Sequence, residues 1–117
     1  MIYRKNQCEV RELSQIWGGE GTIEVTHLLE KNGADFMGKG RTFARFRLPP
    51  GSSIGTHVHK GESEIYYVLS GKGLYFDNGT WTPVQAGDVL VTKPDQEHAV
   101  VNNTVYDLDL IGLILYQ

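Results

Sequence analysis

The strongest constraint on the fold is a series of short strand-like segments, which recur about every 8–12 residues from Thr22 onward. The segments are rich in Val, Ile, Tyr, Phe and Thr, and Gly, Pro and Asn separate them. In chain order they span residues 22–29, 41–48, 64–71, 73–81, 88–93, 98–102 and 106–116. Asn78-Gly79 has the composition of a type I′ hairpin turn. This pattern predicts an all-β sandwich or barrel.

The N-terminal part of the chain follows a different pattern. Between residues 8 and 17, apolar side chains share one helical stripe: Val10, Leu13, and either Ile16 or Trp17. A short helical or irregular segment is therefore predicted here, and the glycine-rich residues 18–21 end it.

A loop with three glycines is predicted for residues 30–40. Phe36 and Met37 within it are unusually apolar for an exposed loop. Two interpretations are open: the pair packs on the barrel rim, or it forms a lid over a pocket.

Length and charge narrow the functional classes. With 117 residues the chain suits one compact domain, so we expect a single domain over residues 1–117. The formal net charge of −3 argues against nucleic acid and anionic membranes as partners. The N-terminus lacks the apolar stretch of a signal peptide, and no apolar run is long enough for a membrane span, which predicts a cytoplasmic protein. Cys8 is the only cysteine, so no intramolecular disulfide is possible.

Two histidines in the segment GTHVHKGESE suggest a metal site. Side chains alternate along a strand, so His57 and His59 face the same way, about 7 Å apart. Residues 60–63 are predicted to turn the chain so that Glu64 faces back toward the pair. His98 opens a later strand and completes a set of three histidines and one glutamate if that strand is a neighbour. The fourth histidine, His27, is expected to be a surface residue or a satisfied core residue.

These residues resemble the cupin superfamily of small β-barrels. The first cupin motif, G-x5-H-x-H-x4-E-x6-G, matches without a gap at Gly51, His57, His59, Glu64 and Gly71. The second motif, G-x5-P-x-G-x2-H-x3-N, matches at Gly87, His98 and Asn102. Lys93 and Asp95 replace the proline and the second glycine of that motif, which affects a turn and leaves the ligands in place.

The resemblance implies a double-stranded β-helix, or jelly-roll, whose core barrel covers about residues 41–116. Residues 1–40 would form N-terminal strands and an extension. One divalent ion would be held by His57, His59, Glu64 and His98. Cupins frequently form dimers, and the apolar segment LIGLILY together with the N-terminal residues exceeds what one small barrel needs. A homodimer is therefore expected.

The identity of the ion stays open among manganese, iron, nickel and zinc. Tetrahedral zinc would be saturated by these four ligands, whereas a six-coordinate ion would keep about two positions for a ligand. Three neutral imidazoles and one carboxylate leave the centre with a charge of about +1, which favours a small oxyanion or hydroxyketone. We expect an enzyme of the dioxygenase, decarboxylase, lyase or isomerase type. The alternatives are a non-catalytic small-molecule or metal-binding module and a structural metal barrel.

Other residues are candidates for contact with a bound molecule. Tyr66 shares the inward parity of Glu64 and is the candidate catalytic residue, unless it is only a core aromatic. Asn102 is either an inward hydrogen-bond donor or a turn residue, and Arg45 either contacts an anion or belongs to a solvated face. Three acidic side chains are candidate bases or solvated charges: Glu62, Asp95 and Glu97.

Overall fold

The computed structural model describes all 117 residues and consists of two antiparallel sheets. Helical structure is limited to three 3₁₀ turns, at Lys5–Gln7, Ile16–Gly18 and Ala34–Phe36. The ten strands are β1 (Glu9–Ser14), β2 (Thr22–His27), β3 (Gly40–Leu48), β4 (Ser53–Val58), β5 (Glu62–Ser70), β6 (Lys72–Asp77), β7 (Thr80–Gln85), β8 (Val89–Thr92), β9 (Glu97–Val101) and β10 (Leu108–Tyr116). None of the helical turns has the length and apolar character needed to cross a bilayer.

The two sheets are ordered β1-β2-β3-β10-β5-β8 and β4-β9-β6-β7. Strand β3 shows why they pack together. Its side chains alternate between buried and half-buried along the whole strand, so Thr42, Ala44 and Phe46 face inward while Phe43, Arg45 and Arg47 face outward. This period of two is expected of a strand with one face in the core. The all-β jelly-roll prediction is confirmed.

The apolar core lies between the sheets. Its most enclosed members include Leu48, Val68, Leu108 and Leu110, none with measurable exposure. Leu13 and Ile16 from the N-terminal segment are partly buried against it. The core therefore draws on residues before and after the family motifs.

Residues 8–17, predicted as a short helical or irregular segment, are mostly a strand, followed by a 3₁₀ turn that begins at Ile16. Residues 9–14 form strand β1, which pairs with β2 from Glu9↔His27 to Ser14↔Thr22. Val10 remains 55% exposed, whereas Leu13 and Ile16 of the same stripe pack against the core. Backbone pairing to the edge of β2 aligns six residues at once, and this outweighs about two turns of apolar periodicity.

The turn predictions are confirmed where glycine or asparagine marked them. Asn78 and Gly79 have φ angles of 44° and 112°, as a type I′ hairpin between β6 and β7 requires. Asp95, at the position of a glycine in the cupin motif, has a φ of 68°. Aspartate tolerates this left-handed conformation better than most residues, so the turn before β9 keeps its shape.

Phe36 and Met37 diverge in their environments. Phe36 is buried, as rim packing predicts, whereas Met37 is 79% exposed and ends the 3₁₀ turn with a positive φ. Neither side chain lines the cavity at the histidine cluster. The lid interpretation finds no support.

Candidate metal centre

The structure brings together all four predicted metal ligands. His57 in β4 lies opposite His98 in β9, and His59 follows directly after β4. Glu64 reaches the same place from β5, in the other sheet. One ligand atom from each residue lies within 4.8 Å of the others. The cluster therefore sits between the two sheets.

The four side chains point their electron-donating atoms at one another. Nε2 of His98 lies 3.0 Å from Nε2 of His57, 3.1 Å from Nε2 of His59 and 3.2 Å from Oε1 of Glu64. His98, Glu64 and His59 are at most 5% exposed, while His57 is half-buried. Access from solvent is therefore on the His57 side.

The opposite ring nitrogens are held by acceptors. Nδ1 of His57 lies 2.8 Å from the Gly55 carbonyl oxygen, and Nδ1 of His59 lies 2.8 Å from Oε1 of Glu62. A carbonyl and a carboxylate only accept hydrogen bonds, so both Nδ1 atoms carry the hydrogen. This tautomer leaves the lone pair of each Nε2 pointing into the cluster.

His98 is held in a similar way by a hydroxyl group. Its Nδ1 lies 2.8 Å from Oγ1 of Thr92, which is buried and also hydrogen-bonded to the hydroxyl of Tyr75. All three imidazoles are thus oriented by a partner outside the cluster. Such partners are characteristic of histidines that bind metals.

Converging lone pairs favour a cation between them. Two imidazole nitrogens with fixed lone pairs, a third about 3 Å away and a buried carboxylate would otherwise repel one another. Three histidines and one glutamate suit a divalent transition metal ion. The assignment of these residues as metal ligands stays a prediction of the sequence, and the geometry fits it.

The titration behaviour agrees with this donor set. Burial lowers the pKa of His57 to about 4, so its imidazole is neutral at pH 7. Burial raises the pKa of Glu64, but the His59 and His98 imidazoles, when protonated, donate hydrogen bonds to its carboxylate, which outweighs burial and lowers that pKa to about 2. Burial also disfavours the charged form of His59, yet its bonds to Glu64 and Glu62 raise its pKa. His59 is therefore where a proton competes with a metal ion.

Glu62, expected to be a base near the ion or a solvated charge, is instead a hydrogen-bond partner of the ligand His59. Its carboxylate accepts from His59 and takes two bonds from Arg41, at 2.8 and 2.6 Å. The Arg41 guanidinium lowers the pKa of Glu62 to about 2, so the carboxylate stays charged. The spacing of three residues between His59 and Glu62, around the predicted turn, was the available signal.

Tyr66 lies where its parity predicted, inside the barrel. Its ring stacks on His98, with centroids 5.6 Å apart and planes at 17°, and it is only 2% exposed. Burial raises its pKa well above 10 and the neighbouring Glu64 charge adds to this, so the hydroxyl stays protonated. Tyr66 is thus placed to donate a hydrogen bond and unsuited to act as a base.

Asn102 is not part of the metal centre. Its amide nitrogen donates to the carbonyl oxygens of Leu48 and Tyr106, and its oxygen accepts two bonds from Thr104. All of its hydrogen-bonding capacity serves the loop after β9. The turn interpretation is confirmed.

The remaining charged candidates lie elsewhere. Arg45 pairs with Asp109 on the outer face of the larger sheet. Asp95 is exposed and its nearest charged partner is Lys60, at 3.8 Å. Glu97 opens β9 beside the hairpin residue Asn78. None of them lines the cavity at the centre.

A cavity of about 320 Å³ opens onto the cluster and is lined by His57, His59 and Glu64. Polar side chains on its wall can donate hydrogen bonds: His27, Lys31, Arg41, Thr42 and Tyr66. The rest of the wall is apolar and comes from Leu13, Ile16, Trp17, Val25, Phe46, Ile54 and Ile114. Such a lining favours a small anion with some apolar contact.

His27 differs from its expected role. It is half-buried, and its Nδ1 atom is enclosed without a hydrogen-bond partner. Burial lowers its pKa, which keeps the ring neutral. The expectation of a surface or satisfied histidine is therefore wrong for this nitrogen.

Comparison with known proteins agrees with the fold. Residues 44–112 match a family model described as a cupin domain. The chain is 42% identical over 115 residues to a Thermotoga maritima protein named oxalate-binding protein, covering 98% of this chain and 93% of the relative. A solved structure described as a predicted oxalate decarboxylase from Thermotoga maritima is 41% identical, covers both chains fully and has a TM-score of 0.91.

More distant structures share the fold alone. An RmlC-like cupin from Shewanella frigidimarina is 16% identical with a TM-score of 0.76, covering 98% of this chain and 89% of its own. This similarity concerns the course of the backbone. It carries no information on ligands.

Proposed function

The chain belongs to the cupin domain family, and from that premise we propose that it binds a small carboxylate anion of the oxalate class at a divalent metal ion. The ion would be held by His57, His59, Glu64 and His98. The observation that carries the proposal is the convergence of their donor atoms, with outer partners that fix the lone pairs inward. A cation is the species such a cluster is built to hold.

The charge of the centre favours an anionic ligand. Three neutral imidazoles and one carboxylate leave a divalent ion with a charge of about +1. The ion supplies Lewis-acid attraction for carboxylate oxygens when bound. On the protein side, Lys31 and Arg41 add positive charge to the cavity wall, although Glu62 offsets that of Arg41.

The size of the cavity limits the ligand. At about 320 Å³ it lies at the small end of ligand pockets, which suits a compact acid. The relative at 42% identity is named an oxalate-binding protein, which supports this ligand class. Tyr66 and Lys31 line the wall and can donate hydrogen bonds to oxygens that the ion does not engage.

The cavity supports binding better than turnover. Glu64 is the only carboxylate on the wall, and Glu62 behind it is fully engaged by Arg41 and His59. Tyr66 stays protonated, so it is not a base. The lining thus lacks an unpaired carboxylate to relay protons, which favours the non-catalytic alternative over the expected enzyme.

Titration calorimetry on manganese-loaded protein tests the proposal. We expect oxalate to bind with one-to-one stoichiometry to the loaded protein and not to the metal-free protein. Acetate serves as the matched anion, because it has one carboxylate and cannot chelate. Absence of oxalate binding to fully loaded protein would contradict the proposal. Detection of formate and carbon dioxide in the same sample would mean that the protein decarboxylates oxalate, and decarboxylation would then be its function.

We also propose that two copies associate through the outer face of the larger sheet. Four strands place apolar residues side by side there, in the register Phe43–Leu113–Ile65–Val91. Four neighbouring side chains are 46–61% exposed: Tyr67, Leu69, Val89 and Val91. An apolar patch of this kind marks a protein interface.

A second copy of the chain suits this face. A two-fold axis sets the same apolar rows against each other. The two arginines on the face, Arg45 and Arg47, are paired with Asp109 and Glu24, so little unbalanced charge opposes the approach. Light scattering at micromolar concentration should give twice the chain mass of 13.1 kDa, and Val91→Lys should give the single mass. A single mass for the unmodified protein would contradict the dimer.

A further inference from the structure

Trp17 lies outside the residues matched by the family model and contacts the candidate metal centre directly. Its indole stacks on the imidazole of His57, with centroids 4.9 Å apart and planes at 9°. It also lines the cavity that opens onto the cluster. His57 is the one ligand that is not fully buried. Trp17 therefore stands at the entrance to the site.

The backbone at Trp17 is held in an unusual conformation. Trp17 has φ 54° and ψ 31°, in the left-handed region that bulky residues rarely occupy. Such a conformation persists only where surrounding contacts impose it, and it is concentrated at functional sites.

Two glycines allow the turn that contains Trp17 to pack closely against β4. A Cβ atom on Gly55 would lie 2.0 Å from the Trp17 carbonyl oxygen, and one on Gly19 would lie 2.4 Å from the Ser53 carbonyl oxygen. Both positions therefore require glycine for the turn to lie against β4. Gly55 also accepts the hydrogen bond from His57 Nδ1. The same short piece of backbone thus positions both the indole and the ligand.

Stability alone does not account for this placement. Trp17 is 63% exposed, so its burial contributes little for a side chain of its size. Trp81 offers a comparison within the chain. It is 49% exposed, lies in strand β7 and packs on Phe76, at 5.0 Å between ring centroids, away from the cavity.

We propose that Trp17 positions His57 as a metal ligand and restricts the centre to small oxyanions. The stacked indole fixes the plane of the imidazole, and its bulk narrows the solvent-accessible side of the site. This inference rests on the proposed function, since it concerns the selectivity of the same centre.

Indole fluorescence tests the position of Trp17 without any activity assay. Trp81→Phe leaves Trp17 as the only emitter, and Trp17→Phe leaves Trp81. Cobalt(II) alone is the probe, because it quenches indole emission at short range and its visible spectrum reports ligand geometry. We expect one equivalent of cobalt to quench Trp17 strongly and to leave Trp81 unchanged.

Substitutions at Trp17 test its role. Trp17→Ala should weaken cobalt affinity about 3- to 10-fold, as expected for loss of one aromatic contact, and should alter the cobalt spectrum. Trp17→Phe keeps a stacking ring, so its cobalt affinity and its cobalt spectrum should match those of the unmodified protein. In the alanine variant the preference for oxalate over the bulkier phenylpyruvate should also fall. Circular dichroism on each variant checks that the fold is intact.

The outcomes separate the two proposals. Failure of the unmodified protein to take up cobalt would overturn the metal centre and this inference together. Uptake of cobalt and oxalate, with Trp17 unquenched or with Trp17→Ala matching the unmodified protein, would overturn only the role of Trp17.

Discussion

Two buried polar clusters in this small protein use their hydrogen bonds in opposite ways. Around Asn102, which is 0% exposed, two amide hydrogens meet two carbonyl oxygens, and the amide oxygen meets two donors from Thr104. Around His98, which is 1% exposed, Nε2 faces the Nε2 atoms of two other histidines and a carboxylate oxygen. The first cluster is complete within the chain, whereas the second has the donor set expected of a site that binds a cation.

The difference separates a structural polar group from a binding site. Both clusters are enclosed, and both are centred on a residue of the second cupin motif, so neither burial nor membership of that motif distinguishes His98 from Asn102. The clusters differ in whether hydrogen-bond donors face acceptors or acceptors face one another. Where donors and acceptors are matched, the cluster fixes a loop. Where acceptors face acceptors, and the outer atoms are also engaged, the structure points to an ion from solution.

Removing a histidine from the second cluster should have the largest effect. In His98→Ala the metal content should fall to near zero, because the remaining three ligands include the half-exposed His57. His57→Ala is a milder second variant, since it leaves a smaller buried void. Elemental analysis of purified, folded protein measures the metal content of each variant directly.

His27→Ala is the matched control for this prediction. His27 lines the cavity and lies outside the four-residue cluster, so its loss should leave the metal content unchanged. Full occupancy in both the His57 and His98 variants would mean that the ion binds elsewhere.

Much of the centre was predictable because strand geometry is simple. Alternation places His57 and His59 on one face, and the motif spacing supplies Glu64 and His98. The partners of these ligands were not predictable in the same way. Thr92 meets His98 across the turn between β8 and β9, and Gly55 meets His57 at an irregularity within β4, and sequence spacing does not encode these contacts.

The fold was predictable for a similar reason, and the segment where the structure differs from the prediction is informative. Period-two segments and Asn78-Gly79 predict strands and a hairpin, which the structure contains. Residues 8–17 carry a helical stripe, but β2 offers an unpaired edge and the segment joins it. The periodicity of a local segment carries no information about a sheet edge that forms only when the chain is folded. For the same reason Trp17, placed by this N-terminal hairpin, escaped notice as a neighbour of His57.

Asn102→Ala tests the first cluster and should have the next largest effect. The carbonyl oxygens of Leu48 and Tyr106 lose their donor and Thr104 loses its acceptor, which should cost about 3 kcal/mol of unfolding free energy. For a domain of this size, that lowers the melting temperature by about 10 °C. The loss should be equal with metal and with chelator, because the cluster has no part in metal binding.

Asn103→Ala is the control for Asn102. It is the adjacent residue and is exposed, so its substitution should change stability by less than about 0.5 kcal/mol. A loss in the Asn102 variant that appears only when metal is present would show that the two clusters are coupled, and the contrast between them would not hold.

Glu62→Gln should have the smallest effect and sharpens the comparison most. Glutamine keeps an oxygen that can accept from Nδ1 of His59, so the orientation of the imidazole is retained while the negative charge is lost. Loss of such an outer partner costs 10- to 100-fold in metal affinity when the hydrogen bond disappears. With the bond kept, we expect about 10-fold weaker metal binding, measured by competition with a chelating dye.

Glu12→Gln, on the exposed strand β1, removes the same charge away from the centre and should leave metal affinity unchanged. Equal affinities in the two variants would mean that the tautomer of His59 is set without the charge of Glu62. The distinction between the clusters would then depend on the direction of the lone pairs alone, because the outer charge would contribute nothing to holding the ion.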